Sequence, residues 1–506
     1  MKRISLFLLL SLLLGATVLY SQNPETNLRI VSVSPNAASL GTFGMIPTSN
    51  YVGQASLSIP VYEIDLDGKK FPITLSYHTD GTRVAQEATW VGLGWTLQAG
   101  GCVIRQLQGM DDFNTWGYYE YPYIPWLNDP AFNVTEQNLT EYMHYFNGDY
   151  DAEPDIFYFN AGGHSGSMFF DPLKNKRQVN AIPTIQTQEK VVKMVYNTTN
   201  DCWIMTDLEG YVYSFSTKEI TYSYLNTTDH YSENFSRNSI FRYDKEPQVA
   251  TAWMLDSVTS PNGGKIVFSY RKETLYTPVV TTEDVIFLSK VVDGQISSVS
   301  PQYFNNKYNY NYSYSKIEQC RLASISFEGG KVEFTTTDRE DIESAESGKK
   351  IQKLSSIKIS DISGRVVKTT MLEYKYLLSG TENTNEGYND RLLLAKVYDA
   401  AGTKKNNTYT LEYNMGDLPP KSSPSVDAWG FYNGSSPAPY LQPLKLAPSI
   451  YWSESLQQGG KTSLFKEGMD RSFNEPLCKI GTLRTITYPT GGTAVFEYEG
   501  HRFDEL

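Results

Sequence analysis

The sequence predicts a mainly β protein, with an N-terminal β domain followed by an irregular array of β-hairpins that forms a curved sheet or partial shell, and with one short helical insert. Aromatic residues make up 13% of the 506 residues, including 37 Tyr and 23 Phe. Apolar residues alternate with period two over many short runs, and Gly-Gly pairs separate several of these runs. Aromatic and β-branched side chains pack well on half-buried pleated surfaces, and turn residues between alternating runs indicate hairpins.

Composition excludes some classes of protein. With 40% hydrophobic and 20% charged residues, the chain can bury a core and is not a disordered polar tract. Its 44 Lys and Arg against 56 Asp and Glu give a formal net charge of −12. A protein that binds nucleic acid by neutralising phosphates needs the opposite balance, so we expect no nucleic-acid partner.

Residues 1–22 have the pattern of a signal peptide. Lys2 and Arg3 precede an apolar run over 4–14, and small and polar residues follow as far as Gln22. The run is too short for a membrane anchor, which needs roughly 20 apolar residues. We therefore expect an extracytoplasmic location (periplasm, cell surface or medium) and no transmembrane span once the signal peptide is removed.

Metal and cofactor ligands are sparse. The cysteines lack the close pairs of a zinc site and are too few for a disulfide scaffold, and none of the five His stands four residues from another. We expect no cofactor, no metal site and no catalytic residue. Three disulfide pairings remain open, but small buried side chains are the interpretation that we favour for Cys102, Cys202, Cys320 and Cys478.

The N-terminal β domain is assigned to 23–110. Apolar residues alternate over 55–61 and again over 71–77, on either side of Asp67-Gly68, which predicts a hairpin. A Gly-rich segment, Trp90-Val-Gly-Leu-Gly-Trp95, follows. We interpret Gly92 and Gly94 as structural turn residues that let two backbones approach closely, because no Lys-Ser/Thr pair follows them as in a phosphate-binding loop.

Residues 111–152 form an acidic insert that is rich in aromatic residues. A short helix is expected over 135–146, between a capping Thr135 and Asn147-Gly148. Exposed rings can stack on sugars, whereas most aromatic clusters serve packing. The candidate ligand-binding residues of the insert are Trp116, Tyr118 and Trp126.

A degenerate repeat begins beyond a β region at 153–250. Three copies, beginning at Leu255, Leu322 and Leu483, start with Leu-x-x-Ile/Val, continue to Gly-Gly, and have an aromatic residue four positions after the second glycine. Because strand residues i and i+3 point to opposite faces, we expect the Leu and the Ile/Val to cover both faces of the sheet. The glycines interpreted as structural turns are Gly263, Gly264, Gly329, Gly330, Gly491 and Gly492.

Looser copies start at Leu354 and Leu394, so the repeats occupy 251–415 with variable spacing. A loop-rich region that contains Trp429-Gly430 covers 416–480, and 481–506 is the start of a further repeat. Such a sheet must be covered by another layer or curve into a shell in order to hide its second face.

The chain resembles the Rhs/YD-repeat family, in the form found in the N-terminal region of secreted surface proteins of Bacteroidetes-type bacteria. The resemblance covers most of the chain from about residue 45. It depends on the Trp90–Trp95 segment, Glu153-Pro-Asp-Ile-Phe157, Asp361-Ile-Ser-Gly-Arg365, Tyr398-Asp-Ala-Ala-Gly402, Asp427-Ala-Trp-Gly-Phe-Tyr-Asn-Gly434 and Tyr488-Pro-Thr-Gly-Gly492.

The resemblance implies a secreted, β-rich, non-enzymatic structural or interaction protein, related to shells that in some members enclose a C-terminal toxin. Members usually continue into more repeats, so a stop at Leu506 suggests a truncated or split protein. Its expected partner is a downstream repeat or toxin polypeptide, or a cell-surface glycan. The alternatives are a glycan-binding module that uses the 111–152 aromatics and, remotely, a hydrolase, for which Gly163-His-Ser-Gly166 is a poor match to a nucleophile elbow.

Overall fold

The structure is a computed structural model and is mainly β, which confirms the predicted fold class. It describes residues 32–45, 55–120, 143–144, 149–151, 153–171, 180–186, 192–228, 248–286, 291–292, 295–296, 307–379, 387–436 and 469–500.

The N-terminal sheet has three antiparallel strands in the order β1-β2-β3. These are β1 Ala55–Leu66, β2 Lys69–Thr79 and β3 Trp95–Gln98. Asp67 and Gly68 form the turn of the predicted hairpin, both with positive φ (52° and 91°). That conformation matches the right-handed twist of the two strands it joins.

The remaining strands form one large antiparallel sheet, apart from the separate pair β15 Val291–Val292 and β16 Gln295–Ile296. Its first part contains β4 Gly101–Gln106, β5 Ile156–Ala161, β6 His164–Phe169, β7 Asn180–Ala181, β8 Thr184–Ile185, β9 Val192–Asn197, β10 Cys202–Asp207, β11 Val212–Thr228, β12 Gln248–Thr259, β13 Lys265–Tyr276 and β14 Val280–Ile286.

From β17 onward, each strand of the large sheet pairs with the next in chain order. Together with β12 and β13, these strands form the five predicted hairpins, which we name by their leading leucines Leu255, Leu322, Leu354, Leu394 and Leu483. The strands are β17 Lys307–Phe327, β18 Gly330–Asp338, β19 Gln352–Asp361, β20 Val366–Leu377, β21 Arg391–Ala401, β22 Lys404–Tyr413, β23 Leu483–Thr487 and β24 Thr493–Val495.

The leading leucine of every hairpin belongs to a β-bulge, which corrects the expectation that Leu and Ile/Val face opposite sides. The extra, unpaired residue of each bulge directly follows the leucine, and it shifts the inward face by one position. Both apolar residues of each motif are therefore buried on the same side. The extra residues are Asp256, Ala323, Ser355, Ala395 and Arg484.

The inward face of the hairpin array is covered by the N-terminal sheet. Leu75 and Tyr77 of β2 belong to one continuous core with Leu354, Leu394 and Leu483, and all five are at most 1% exposed. The chain thus supplies the second layer that the array requires.

Helix α1, Pro35–Met45, was not predicted from the sequence; α2 is the short Glu475–Cys478, and Gly387–Asn389 is a 3₁₀ turn. Ser34 caps α1, since its Oγ accepts a hydrogen bond from Ala37 N at 3.1 Å, and Pro35 stands where a missing N–H costs nothing. Small residues and two glycines give α1 no apolar periodicity to detect. Met143 and His144 of the expected 135–146 helix are helical, and the rest of that stretch lies outside the described residues.

The cysteines are free thiols in the structure. Cys102 and Cys320 lie in one small apolar cluster with Ala37, Ala252 and Met254, and burial raises the pKa of both thiols. Cys202 and Cys478 are half-buried. None of the four pairs with another.

In the three Gly-Gly turns, one glycine of each pair has a positive φ: Gly263 (92°), Gly330 (151°) and Gly491 (86°). Their neighbours Gly264, Gly329 and Gly492 do not. Gly264 is restricted by space, because a Cβ there would lie 2.8 Å from Asp67 Oδ2 and 3.0 Å from Leu66 Cδ1 in the β1–β2 turn.

Replacing Gly263 by Val tests the turn of the Leu255 hairpin. No heavy atom lies within 4 Å of a Cβ placed on Gly263, so the main cost is the strain of a β-branched residue at φ 92°, of about 1–3 kcal/mol. Chemical denaturation should show this loss for Gly263→Val. The exposed, extended Lys265 is the control, and Lys265→Val should unfold like the natural protein. Equal stability of the two variants would show that the turn does not require its glycine.

Candidate functional site

The structure describes two of the three candidate ligand-binding aromatics, Trp116 and Tyr118. The Trp116 indole is 43% exposed and stacks on Tyr150, with ring centroids 4.9 Å apart. Tyr118 is half-buried, and Trp126 lies outside the described residues. Phe113, in contrast, packs inward against Phe157 and contributes to the core. Part of the insert's aromatic content therefore serves packing.

A buried charge cluster joins the insert to the sheet. Arg105 of β4 donates from Nε to Asp155 Oδ2 at 2.8 Å and also pairs with Asp111, and its guanidinium lies 5.0 Å from the Phe113 ring centroid. Asp155 accepts further hydrogen bonds from the amides of Gln108 and Asp112. One arginine thus organises the start of the insert.

Carboxylates outnumber the cations in this cluster. Asp112 is fully buried, and Asp151 is 7% exposed and accepts a hydrogen bond from Glu153 N at 3.1 Å. Burial and the charge of Asp155 raise the pKa of Asp112 well above its usual range. Burial, with a smaller contribution from the charge of Asp155, raises the pKa of Asp151 to about 7. Across the described ranges, no group of three His, Cys, Asp or Glu side chains could hold a metal ion.

The Asp151 carboxyl should make stability depend on pH. Its pKa of about 7 in the folded chain lies above the unfolded value of about 3.9, so its contribution is complete below pH 4 and is lost as the pH rises to 7. The slope for this group is at most about 1.4 kcal/mol per pH unit. Asp151→Asn should therefore show a shallower decline in unfolding free energy between pH 4 and 7 and should be more stable than the natural protein at pH 8. Parallel pH curves would contradict this assignment.

The Trp-Gly segment, Trp90–Trp95, crosses the inner face of the hairpin array. Trp90 O accepts a hydrogen bond from Leu354 N at 2.9 Å, and Leu93 N donates to Leu392 O at 2.8 Å. Gly92 has φ 114°, and a Cβ there would lie 3.0 Å from Leu394 N. The segment therefore contacts the backbone of two successive hairpins directly, and glycine permits this approach.

The end of the segment is held by aromatic side chains. A Cβ on Gly94 would lie 2.7 Å from the Tyr77 ring, whose hydroxyl accepts a hydrogen bond from Leu483 N at 2.8 Å. Trp95 is fully buried and donates from Nε1 to the Tyr413 hydroxyl at 2.9 Å. The N-terminal sheet is thus hydrogen-bonded to the last two hairpins.

Four tyrosine hydroxyls donate to the carbonyls of leading leucines, each at 2.7 Å, and we call these bonds the tyrosine ladder. A bulge interrupts the strand pairing and leaves backbone groups of the leucine without a ladder partner, and buried polar groups need one. Among the described residues, the Leu322 hairpin has no such tyrosine. The bonds run from Tyr270 to Leu255, Tyr374 to Leu354, Tyr413 to Leu394 and Tyr498 to Leu483.

The ladder residues also set the register between hairpins. The tyrosine that bonds back to its own leucine pairs, through its backbone, with the leading leucine of the next hairpin. In the Leu322 hairpin, Thr336 takes the same place. The pairs are Tyr270 with Leu322, Thr336 with Leu354, Tyr374 with Leu394 and Tyr413 with Leu483.

A second buried charge cluster fixes the chain just before the Trp-Gly segment. Arg339 donates from Nε to Asp341 Oδ1 at 2.8 Å and from Nη1 to Thr89 O at 3.0 Å. Lys421 donates to Asp341 O at 2.5 Å and lies 3.4 Å from Glu87 Oε1. Burial lowers the pKa of Lys421 and raises that of Glu87. These charged side chains contact backbone carbonyls and one another. The cluster therefore holds the backbone around Thr89 in place.

The segment that resembles a nucleophile elbow is a hairpin turn. Gly162 and Gly163, both with positive φ, join β5 to β6, and the exposed Ser165 pairs across the turn with Asn160. His164 Nε2 lies 3.7 Å from Asp207 Oδ2.

Within the described part of the chain, no helix is long and apolar enough to cross a membrane.

No family model and no curated protein matches the chain. Solved structures with some similarity are TcdB2-TccC3 (TM-score 0.35, 11% identity, 73% of this chain and 16% of that one) and the Photorhabdus luminescens Tc holotoxin pore (0.31, 10%, 71% and 16%). The N-terminal domain of effector protein SpvB from Salmonella typhimurium strain LT2 is a third (0.28, 11%, 68% and 99%). This chain spans 16% of the toxin chains, and similarity at this level makes no case for function.

Removing one ladder hydroxyl should destabilise the fold. Tyr413→Phe leaves the Leu394 carbonyl and the Trp95 indole N–H buried without partners, at a cost of about 1–3 kcal/mol. Tyr409→Phe in the same strand is the control, because that hydroxyl makes no hydrogen bond within the described residues. Denaturant titration of both variants measures the difference. A Tyr413→Phe variant as stable as the control would contradict the role of the ladder.

Proposed function

We propose that this chain is a secreted, non-enzymatic structural or interaction protein, a wall of β-hairpins similar to the N-terminal part of Rhs/YD-repeat shell proteins. The observation that supports it most is the combination of the tyrosine ladder and the Trp-Gly segment. In an enzyme, the polar groups that carry out the chemistry converge on a cavity. Here the recurring tyrosine hydroxyls bind backbone carbonyls at the bulges.

The occupied inner face supports the same proposal. The core between the N-terminal sheet and the array is filled by side chains such as Trp95, Leu75 and Leu394, all fully buried. The partly open pocket lined by Trp90, Gly100 and Cys320 has a volume of about 40 Å³, which is room for only a few water molecules. Partners would therefore meet the outer surface or the strand edges.

Export is the part of the proposal that is simplest to test. Lys2, Arg3 and the apolar run over 4–14 are typical of a signal peptide that directs secretion. Mass spectrometry of the protein from its natural host should therefore find, in the extracytoplasmic fraction, a chain that has been cleaved before about residue 25. An intact Met1 on cytosolic protein would contradict secretion. A variant with both Leu8→Arg and Leu9→Arg, in which charges interrupt the apolar run, should remain uncleaved.

Glycan binding is the second candidate, favoured by the exposed Trp116 indole stacked on Tyr150. A flat ring held by a second ring is suited to stacking on a sugar face. A glycan array would detect it, and Trp116→Ala should abolish any signal while Trp429→Ala, at an exposed tryptophan in another loop, should not. Absence of binding by the natural protein would leave the structural role as the proposal.

A further inference from the structure

An open pocket lies on the outward face of the first part of the large sheet. Strand residues alternate between the two faces, and Phe157 and Met168, which pair across β5 and β6, point into the core. Ile156 and Phe169, at the next positions of these two strands, are half-buried and line the pocket. Its volume is about 310 Å³, at the lower end of the range of small-molecule sites, about 300–1,000 Å³.

The buried charge cluster fixes the backbone of this pocket. Asp155 is fully buried and accepts a hydrogen bond from Arg105 Nε at 2.8 Å. Its chain neighbours Pro154 and Ile156 both line the pocket. Asp155 Oδ1 also accepts a hydrogen bond from Gln108 N at 2.7 Å, which holds the segment after β4 beside them. The pocket walls are therefore held by strands and a buried ion pair, and such support preorganises a binding site.

The lining combines apolar side chains with side chains that end in a flat polar group. The apolar residues are Pro154, Ile156 and Phe169, and the polar residues are Gln108, Glu153 and Gln186. The Ser167 hydroxyl donates to Gln186 Oε1 at 3.2 Å, which leaves Gln186 Nε2 as a donor for a ligand. Within the described residues, Gln108 and Glu153 make hydrogen bonds only through their backbone amides.

We propose that this pocket binds a neutral sugar ring of a glycan. This inference rests on the glycan-binding candidate and names its ligand class and residues. A pyranose has a face of C–H groups, which suits the apolar lining with its Phe169 ring, and a rim of hydroxyls, which two amides and a carboxylate match as donors and acceptors. Among the described residues, no Lys or Arg lines the pocket, and the Glu153 carboxylate repels anions, so acidic ligands are disfavoured.

The exposed Trp116 lies close to the pocket along the chain. Trp116 O accepts a hydrogen bond from Asp151 N at 3.0 Å, and Glu153 follows Asp151 by two residues, a short span of backbone. A glycan of several sugars can therefore contact both the Trp116 indole and the pocket, whereas a monosaccharide tests the pocket by itself.

Titration of the purified chain with the methyl glycosides of glucose, galactose and mannose, followed by saturation-transfer NMR, measures binding to the pocket. At least one of them should bind, and Gln186→Ala should raise its Kd about three- to tenfold, because hydrogen bonds to the sugar are lost. The control is Gln106→Ala, since the exposed Gln106 accepts a hydrogen bond from Tyr158 and is not among the residues that line the pocket. Equal melting temperatures would verify that both variants fold.

An acidic form of the same sugar tests the ligand class. The uronic acid counterpart of the glycoside that binds carries one additional carboxylate, and it should bind the natural chain more weakly than the neutral glycoside. Glu153→Gln keeps the shape of that side chain and removes its charge, so it should narrow the difference between the two ligands.

Three results would overturn the inference: no binding of any of the neutral glycosides, equal Kd values for Gln186→Ala and Gln106→Ala, or tighter binding of the uronic acid form by the natural chain. If Trp116→Ala abolishes a glycan-array signal that Gln186→Ala leaves unchanged, the pocket is wrong and the glycan-binding candidate stands. The structural role is tested separately by Tyr413→Phe, and none of these outcomes affects it.

Discussion

The hydrogen bond from a tyrosine hydroxyl to a leucine carbonyl is the constraint on which the array depends. Each bulge turns the Leu and the Ile/Val of a motif to the same face of the sheet. A short strand thereby contributes two neighbouring side chains to the core. The bulge also leaves buried backbone groups outside the strand ladder, and an unpaired buried carbonyl costs a large part of the stability that the extra burial provides. The hydroxyl of Tyr270, Tyr374, Tyr413 or Tyr498 removes that cost within its own hairpin.

At two of the bulges, the backbone amide of the leading leucine has a partner from elsewhere in the chain. Leu354 N is bonded to Trp90 O and Leu483 N to the Tyr77 hydroxyl, so the N-terminal sheet and the Trp-Gly segment complete what the hairpins cannot satisfy alone. This requirement explains why the segment contains glycines between large aromatics: its backbone must reach the array backbone, and its rings must fill the remaining space. The two layers therefore stabilise each other through specific polar bonds as well as through apolar burial.

Much of the fold could be predicted from the sequence, because period-two runs and Gly-Gly turns are local signals. The faces of Leu and Ile/Val could not, since a single extra residue such as Ala395 leaves no mark in a hydrophobic pattern. The ladder was hidden because turn lengths differ: Tyr270 follows Leu255 by 15 residues, whereas Tyr374 follows Leu354 by 20. The contact of Arg339 with the Thr89 carbonyl joins residues 250 positions apart, which no local pattern reveals.

Hydrogen exchange of individual amides measures this mutual dependence most directly. If the N-terminal layer satisfies the bulges, the amides of Leu354 and Leu483 should exchange only through global unfolding, as slowly as those of Ile357 and Ile486 in the regular part of the same strands. Exchange of the two leucine amides by local opening, much faster than their neighbours, would show that the bonds to Trp90 and Tyr77 do not hold the layers together.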